Sequence, residues 1–296
     1  MQAMKSETIP LPDLPPGYTT FAAADGERLA GRLYRPVLEP LGAVLVVPAI
    51  GICQDFYEAF ACWLAGQGYA VFTFDYRGMG FSRRRPLPEV ECTLVDWGRL
   101  DCSAALTAFA ARLPAGLPIH WLGHSLGGQL LPFVADRRRL ARAITVASGS
   151  GYWRENAPPL KRRVWWLWYV VAPLSLRLCG YFPGRRLGMV GDLPAGVMAQ
   201  WRSWCLDPDY APGVEGDHVR QQFAAVTTPL SVFSFADDEY MSAVNTARLH
   251  DLYVGAPQAR HAIAPADHGL KRIGHFGFFR AERECLWPLL LPHLEA

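Results

Sequence analysis

Lysine is almost absent from this 296-residue chain: Lys5, Lys161 and Lys271 are the only ones, and arginine supplies nearly all of the 29 basic residues. We attribute that skew to codon composition. Neither sign of charge dominates, since 27 acidic residues oppose the basic ones and leave a formal charge of +2. A nucleic-acid partner, which calls for a strong cationic excess, is therefore not expected. Also lacking is any CxxC pair among the seven cysteines, Cys53, Cys62, Cys92, Cys102, Cys179, Cys205 and Cys285. Such an odd, scattered set reads as buried thiols in a reducing compartment and excludes a disulfide frame or a zinc site. The N-terminal MQAMKSETIPLPDLPPGY has no apolar run of the signal-peptide kind, so a cytoplasmic location is expected. Internal repeats and low-complexity tracts are missing too.

No run reaches the ~20 apolar residues that a membrane-spanning helix needs. The longest, Val164 to Leu176 (VWWLWYVVAPLSL), contains Pro173 and is flanked by Lys161, Arg162, Arg163 and Arg177. Its favoured reading is a buried or lid helix. The alternative is an interfacial helix resting on a lipid surface, as aromatic stretches with flanking cations do. What the chain does have is apolar content, 51% of its residues, enough for a large core.

That content is arranged in alternation. A hairpin is expected where Thr19 to Ala23 and Leu29 to Tyr34 flank Asp25-Gly26. Ala43 to Pro48 (AVLVVP) is a short apolar run of the buried parallel-strand kind, and Phe56 to Gln67 follows with helical spacing, ended by Gly68. Strands at Tyr69 to Phe74, Ile119 to Leu122 and Ala143 to Ser148 alternate with helices at Leu94 to Leu113 and Ser125 to Val134. The pattern resumes with LSVFSF at Leu230, a helix near Val244 to Tyr253, a strand at Arg260 to Ala264 and a last helix after His275. This is the signature of an α/β protein with a mostly parallel sheet and helices on both faces. Between lies a stretch holding Trp153, Trp165, Trp166, Trp168, Trp201 and Trp204, six of the ten tryptophans. It is too long for a connection. We expect a core formed by residues 18–150 and 227–296 and a helical, Trp-rich cap at 151–226.

Gly123-His124-Ser125-Leu126-Gly127 fits G-x-S-x-G at a strand-to-helix junction. Chance would place roughly 0.1 such matches in a chain of this composition, and the context adds specificity. A nucleophile elbow needs a sharp, strained turn, which small flanking residues make room for. A serine hydroxyl is a poor nucleophile unless a base, itself oriented by an acid, lies within hydrogen-bonding reach. In this arrangement acid and base follow the serine in that order. The acid falls in Ala236-Asp237-Asp238-Glu239-Tyr240-Met241, just after LSVFSF. Asp238 is favoured for its position three residues before Met241, Asp237 competes, and Glu239 is third. Among later histidines, His250, His261 and His293 lie in a helix, a strand and the C-terminal segment. His268 and His275, in the loop after the last strand, remain as bases, with His275 preferred at its loop-to-helix junction. His124 is read as packing. Two N–H donors should hold an oxyanion: Leu126, at the start of the following helix, and Ile50, with Gly51 as second choice, in the loop after AVLVVP.

These pieces resemble the α/β-hydrolase superfamily, in particular bacterial hydrolases near the serine aminopeptidase and monoacylglycerol-lipase-like families. The resemblance rests on PAIGICQDFYEAFACWLAGQGYAVFTFDYRGMGFS, GHSLGG and IGHFGFFR, and spans about residues 20 to 150 and 228 to 290. It implies the α/β-hydrolase fold. It also implies that DYRGMGFS is a structural turn, which removes Asp75, Arg77 and Ser82 from the catalytic candidates, and it places His275 ahead of His268. One departure is Pro48-Ala49 where the family has His-Gly, so Ile50 is not carried over by position.

The combined expectation is a serine hydrolase that cleaves a carboxylic ester, with thioester or amide as alternatives, through an acyl-enzyme on Ser125, Asp238 and His275. Its partner would be a small apolar ester or acyl substrate, with no metal or organic cofactor. An aspartate nucleophile is excluded by Ser125. The other readings are an acyltransferase on the same triad, a non-catalytic binding protein on the hydrolase fold, and a peripheral membrane protein docking through residues 164–176.

Overall fold

The apolar runs become the interior of one sheet because their side chains are needed on both of its faces. The computed structural model describes residues 14–295, and residues 1–13 of the N-terminal segment considered for a leader lie outside them. Eight strands, β1 (Tyr18–Ala22), β2 (Arg28–Tyr34), β3 (Gly42–Val47), β4 (Tyr69–Phe74), β5 (Ile119–His124), β6 (Leu140–Val146), β7 (Leu230–Phe235) and β8 (Gln258–Ile263), are ordered β1-β2-β4-β3-β5-β6-β7-β8. The hairpin β1–β2 and the β2–β4 pair are antiparallel and the remaining pairs parallel. Every residue of β3, β4 and β5 is buried. Along β3, Ala43, Leu45 and Val47 enter one core while Val44 and Val46 enter the other. The two-residue period of a strand divides one apolar run between two layers of helices.

Several expected elements differ in detail. The helix after Ser125 covers only Leu126–Gln129 and gives way to a 3-10 turn at Leu131–Phe133. Pro132 has no N–H to continue the α ladder. The helix expected over Leu94 to Leu113 ends at Ala110 and contains a π-helical stretch, Trp97–Cys102. Of the cysteines read as buried thiols, Cys92, Cys102 and Cys205 are buried, Cys53 is intermediate, and Cys62, Cys179 and Cys285 are exposed.

From β6 to β7 the chain passes through helices Pro158–Trp166 and Ala172–Cys179, which are joined by a π-turn, then Ala195–Leu206, Tyr210–Glu215 and Asp217–Ala224. A two-residue ladder pairs Tyr181–Phe182 with Leu193–Pro194. The long apolar run lies in the first two of these helices.

The DYRG turn is built on buried charge. Asp75 accepts hydrogen bonds from the Gln54 amide N–H, the Gln54 side chain and the Phe81 amide at 2.8, 2.8 and 3.0 Å. Arg77 is bonded to Asp101 at 2.7 Å and to Asp25 at 2.6 Å. None of these groups faces a reaction space, in keeping with a structural turn. Because Asp101→Ala takes away the buried partner of Arg77 and leaves it only the partly exposed Asp25, it is expected to cost about 3 kcal/mol of folding free energy. Urea denaturation measures it, and a loss below about 1 kcal/mol would mean that the Arg77 guanidinium finds water when Asp101 is gone.

Candidate active site

Ser125 follows β5 directly and is held at φ 51°, ψ −111°, a conformation that side-chain-bearing residues seldom adopt. Its amide is tied to the Val146 carbonyl on β6 at 2.9 Å, and its carbonyl accepts from Gly128 at 3.1 Å. So tight a turn leaves no room nearby. A Cβ on Gly123 would come within 2.5 Å of the Gly127 and Gly128 backbone, and one on Gly128 would collide with Ser148. The small residues of GHSLGG are therefore a steric requirement of the turn.

The residues singled out from the sequence converge here. The Oγ of Ser125 is 2.9 Å from His275 Nε2, and His275 Nδ1 is 2.8 Å from Asp238 Oδ2. All three side chains are buried. The other oxygen of Asp238 accepts the Tyr240 and Met241 amides at 2.8 and 2.9 Å, which turns Oδ2 toward the imidazole. Since an ionised carboxylate only accepts, Nδ1 carries the proton and Nε2 is free to accept from the serine hydroxyl.

Asp237 and Glu239, considered for the same role as Asp238, have different ones. Asp237 accepts the Ile273 amide at 2.8 Å and the Gly274 amide at 3.2 Å. Glu239 accepts the His275 amide at 3.0 Å and pairs with Arg272 at 3.1 Å. Three consecutive acids thus hold the loop from 272 to 275 by its backbone, its guanidinium and its imidazole. The run of three acids is the sequence signal for these contacts, though one catalytic acid alone would account for only Asp238. His268, in the turn Pro265–His268, is bonded neither to Ser125 nor to these acids. His250 is buried between Thr145 and Thr246, His261 stacks on Phe233, and His293 meets Ser231.

Leu126 and Ile50 are the candidate oxyanion donors. Leu126 is the first residue of its helix, so its N–H has no partner within that helix. In the loop after β3, Tyr76 donates to the Pro48 carbonyl at 2.8 Å and the Ala49 amide donates to Tyr57 Oη at 2.9 Å. Ile50 comes next and lines the same cavity as Ser125. Gly51, at φ 72°, packs backbone to backbone against Gly191, and a Cβ would lie 2.6 Å from the Gly191 nitrogen.

His124 does more than pack. Its Nε2 is 3.0 Å from the His275 carbonyl and must donate to it, which leaves Nδ1 to accept the Tyr57 hydroxyl at 2.9 Å. A continuous path of hydrogen bonds therefore runs from the Ala49 amide through Tyr57 and His124 to the backbone of His275. It joins the loop after β3, the serine turn and the histidine loop. Burial, with the nearby His275 ring, pushes the His124 imidazole down to about 3, so it is neutral at physiological pH.

Above Ser125 opens a cavity of about 590 Å³, bounded by Ile50, Met241 and His275 on the sheet side and by Trp165, Trp166, Trp168 and Trp201 opposite. Of the remaining tryptophans between β6 and β7, Trp204 is buried against Phe133 and Tyr210, and Trp153 contacts Tyr169. These rings both line a pocket and pack the insert.

Comparison with known proteins agrees with the fold. The model of the family described as serine aminopeptidase, S33, matches residues 39–183. Human monoglyceride lipase is 30% identical over 135 residues, 45% of this chain and 41% of the relative, so the chain spans about two fifths of that protein's length in the match. Among solved structures, a soluble variant of Saccharomyces cerevisiae monoglyceride lipase bound to a substrate analogue superposes with a TM-score of 0.62 at 17% identity, covering 97% of both chains. A hydrolase from Pseudomonas aeruginosa gives 0.59 at 21% identity, covering 96% of this chain and 100% of that one.

The buried histidines set the response to acid. His120 and His250 are pushed down to about 4 and His124 to about 3, chiefly by burial, against an ordinary histidine near 6.5. The unfolded chain therefore takes up these protons first. Their contribution to stability is complete above about pH 6.5 and is lost as pH falls toward 4, at up to about 1.4 kcal/mol per pH unit for each. Denaturation midpoints between pH 7 and 5.5 should show that slope, and His124→Asn should flatten it. An unchanged slope would mean that His124 is already protonated in the fold.

Proposed function

Because this chain is an α/β-hydrolase of the serine aminopeptidase and monoglyceride-lipase-like group, we propose that it is a serine esterase acting on an apolar, lipid-like ester. One observation carries the reading: the hydrogen-bonded series Asp238, His275, Ser125 ends on a cavity walled by tryptophan. In this mechanism His275 Nε2 takes the hydroxyl proton as Ser125 Oγ attacks the ester carbonyl. Asp238 fixes the tautomer and offsets the charge of the imidazolium. The amides of Leu126 and Ile50 bind the oxyanion, each contributing about 3 kcal/mol to the barrier. His275 then returns its proton to the leaving alcohol, and water attacks the acyl-enzyme by the reverse path. The His124 and Tyr57 bonds hold the two loops at working distance, while Asp237 and Glu239 keep the histidine loop in place.

The same proposal treats residues 151–226 as a cap that shapes the acyl pocket over a core of 18–150 and 227–296. Four tryptophan rings favour alkyl or aromatic acyl groups over polar ones, and the monoglyceride lipase relatives make an acylglycerol a suitable first substrate. A cytoplasmic location belongs to the reading as well, supported by seven free cysteines.

A fluorophosphonate probe is expected to label the wild-type protein and spare Ser125→Ala; a folded wild type that takes up no probe would overturn the proposal. On p-nitrophenyl esters, His275→Ala and Asp238→Asn should each lower kcat by about 10³-fold or more. His268→Ala should stay within about twofold, and Asp237→Asn should fall between, since it loosens the histidine loop without touching the imidazole.

A further inference from the structure

The helical run that carries the longest apolar stretch is not covered by the rest of the protein. Val164, Trp168 and Ala172 turn inward at intervals of four. Around the outer side, Trp165, Trp166, Tyr169, Leu174 and Leu178 are exposed, from 45% for Trp165 to 72% for Leu178. An apolar helix face left open to water at this scale calls for an occupant.

The charge around it identifies the kind of occupant. From Asn156 to Gly191 the sequence contains Lys161, Arg162, Arg163, Arg177, Arg185 and Arg186 and not one acidic residue, although acids make up nearly half of the charged residues of the whole chain. All six cations are exposed. Two copies of this face brought together would set these cations against each other, which disfavours self-association. A surface that offers both hydrocarbon and negative charge matches it on both counts: aromatic rings settle at the boundary between headgroups and acyl chains, and the cations engage the headgroups. The opening of the catalytic cavity lies in the same surface, because Arg162, Arg163, Trp165 and Trp166 border it from the helix and Gly188 and Met189 from the loop carrying Arg185 and Arg186.

We infer that the outer face of residues 158–189 is a docking surface for an anionic lipid bilayer, placed so that the pocket opens toward the membrane. No helix of the described residues is long and apolar enough to cross a bilayer, so the contact is peripheral. The inference deepens the esterase reading by making a membrane the source of substrate, but binding itself does not depend on catalysis.

The test uses Ser125→Ala protein, which leaves lipid intact, in flotation with vesicles of phosphatidylcholine alone or mixed with phosphatidylglycerol. Flotation is expected with the anionic vesicles, weakly with the neutral ones, and should decline as ionic strength rises. Removing cations outside the cavity, Arg177→Gln with Arg185→Gln and Arg186→Gln, should weaken binding at least tenfold, since each is worth roughly fivefold near an anionic surface. Leu174→Ser with Leu178→Ser should abolish the salt-resistant fraction. As a control, Arg137→Gln with Arg138→Gln and Arg139→Gln, at the opposite end of the sheet before β6, should float as before. Circular dichroism and, with Ser125 restored, turnover of a soluble ester verify that the variants fold. Absence of flotation on anionic vesicles, equal loss in the control, or a dimer dissolved by the leucine changes with no vesicle binding would overturn the inference. Flotation without esterase activity would leave the surface standing and refute the catalytic reading.

Discussion

Ser125 can stand at φ 51° only because Gly123, Gly127 and Gly128 leave space for the backbone to double back on itself. Everything at that end of the sheet is arranged around this turn. It brings the serine hydroxyl to His275, starts the next helix at Leu126, and ties the His124 side chain to the backbone of the histidine loop. The strain, on the order of 1 to 3 kcal/mol for such a residue, is sustained by β5 being buried between β3 and β6, where it cannot relax by moving sideways.

The loop bearing His275 has a different support. Besides the apolar anchor of Ile273 in the core, it is held by polar contacts: two amides on Asp237, one amide and Arg272 on Glu239, and a carbonyl on His124. Asp238, between the first two, spends one oxygen on the Tyr240 and Met241 amides of its own loop and turns the other to the imidazole. Adjacent residues in an extended or turning chain point in different directions, which is why three neighbouring acids can serve three separate groups. The arrangement gives a mobile class of element, a surface loop, the positional definition usually reserved for secondary structure.

Much of this was legible in the sequence. Apolar runs of about six residues gave the interior strands, and Gly-rich punctuation gave the serine turn. Ser125 is legible in its motif, Asp238 in its loop position and His275 in the resemblance carried by IGHFGFFR, and His275 lies within hydrogen-bonding distance of the other two. What could not be read were contacts between residues distant in the chain. Tyr57 and His124 are 67 positions apart, and nothing in local pattern tells a tyrosine that donates to an imidazole from one that merely fills a core. The same limit explains Asp237 and Glu239, whose partners lie more than thirty residues on. Pro132 and the π-turn at Trp97–Cys102 altered helix lengths because backbone hydrogen bonding, unlike apolar periodicity, is interrupted by single residues.

The contact of Gly51 with Gly191 bears on how such an enzyme could change over time. Both are bare backbone at the point of contact, so there is no side chain whose rotation could absorb a shift between the insert and the loop next to Ile50. Insertions or substitutions that reshape the insert would press directly on the loop for which we propose an oxyanion role. If the loop serves as proposed, substrate range and turnover are coupled through this contact, and variants with a reshaped insert should carry compensating changes near residues 48 to 51.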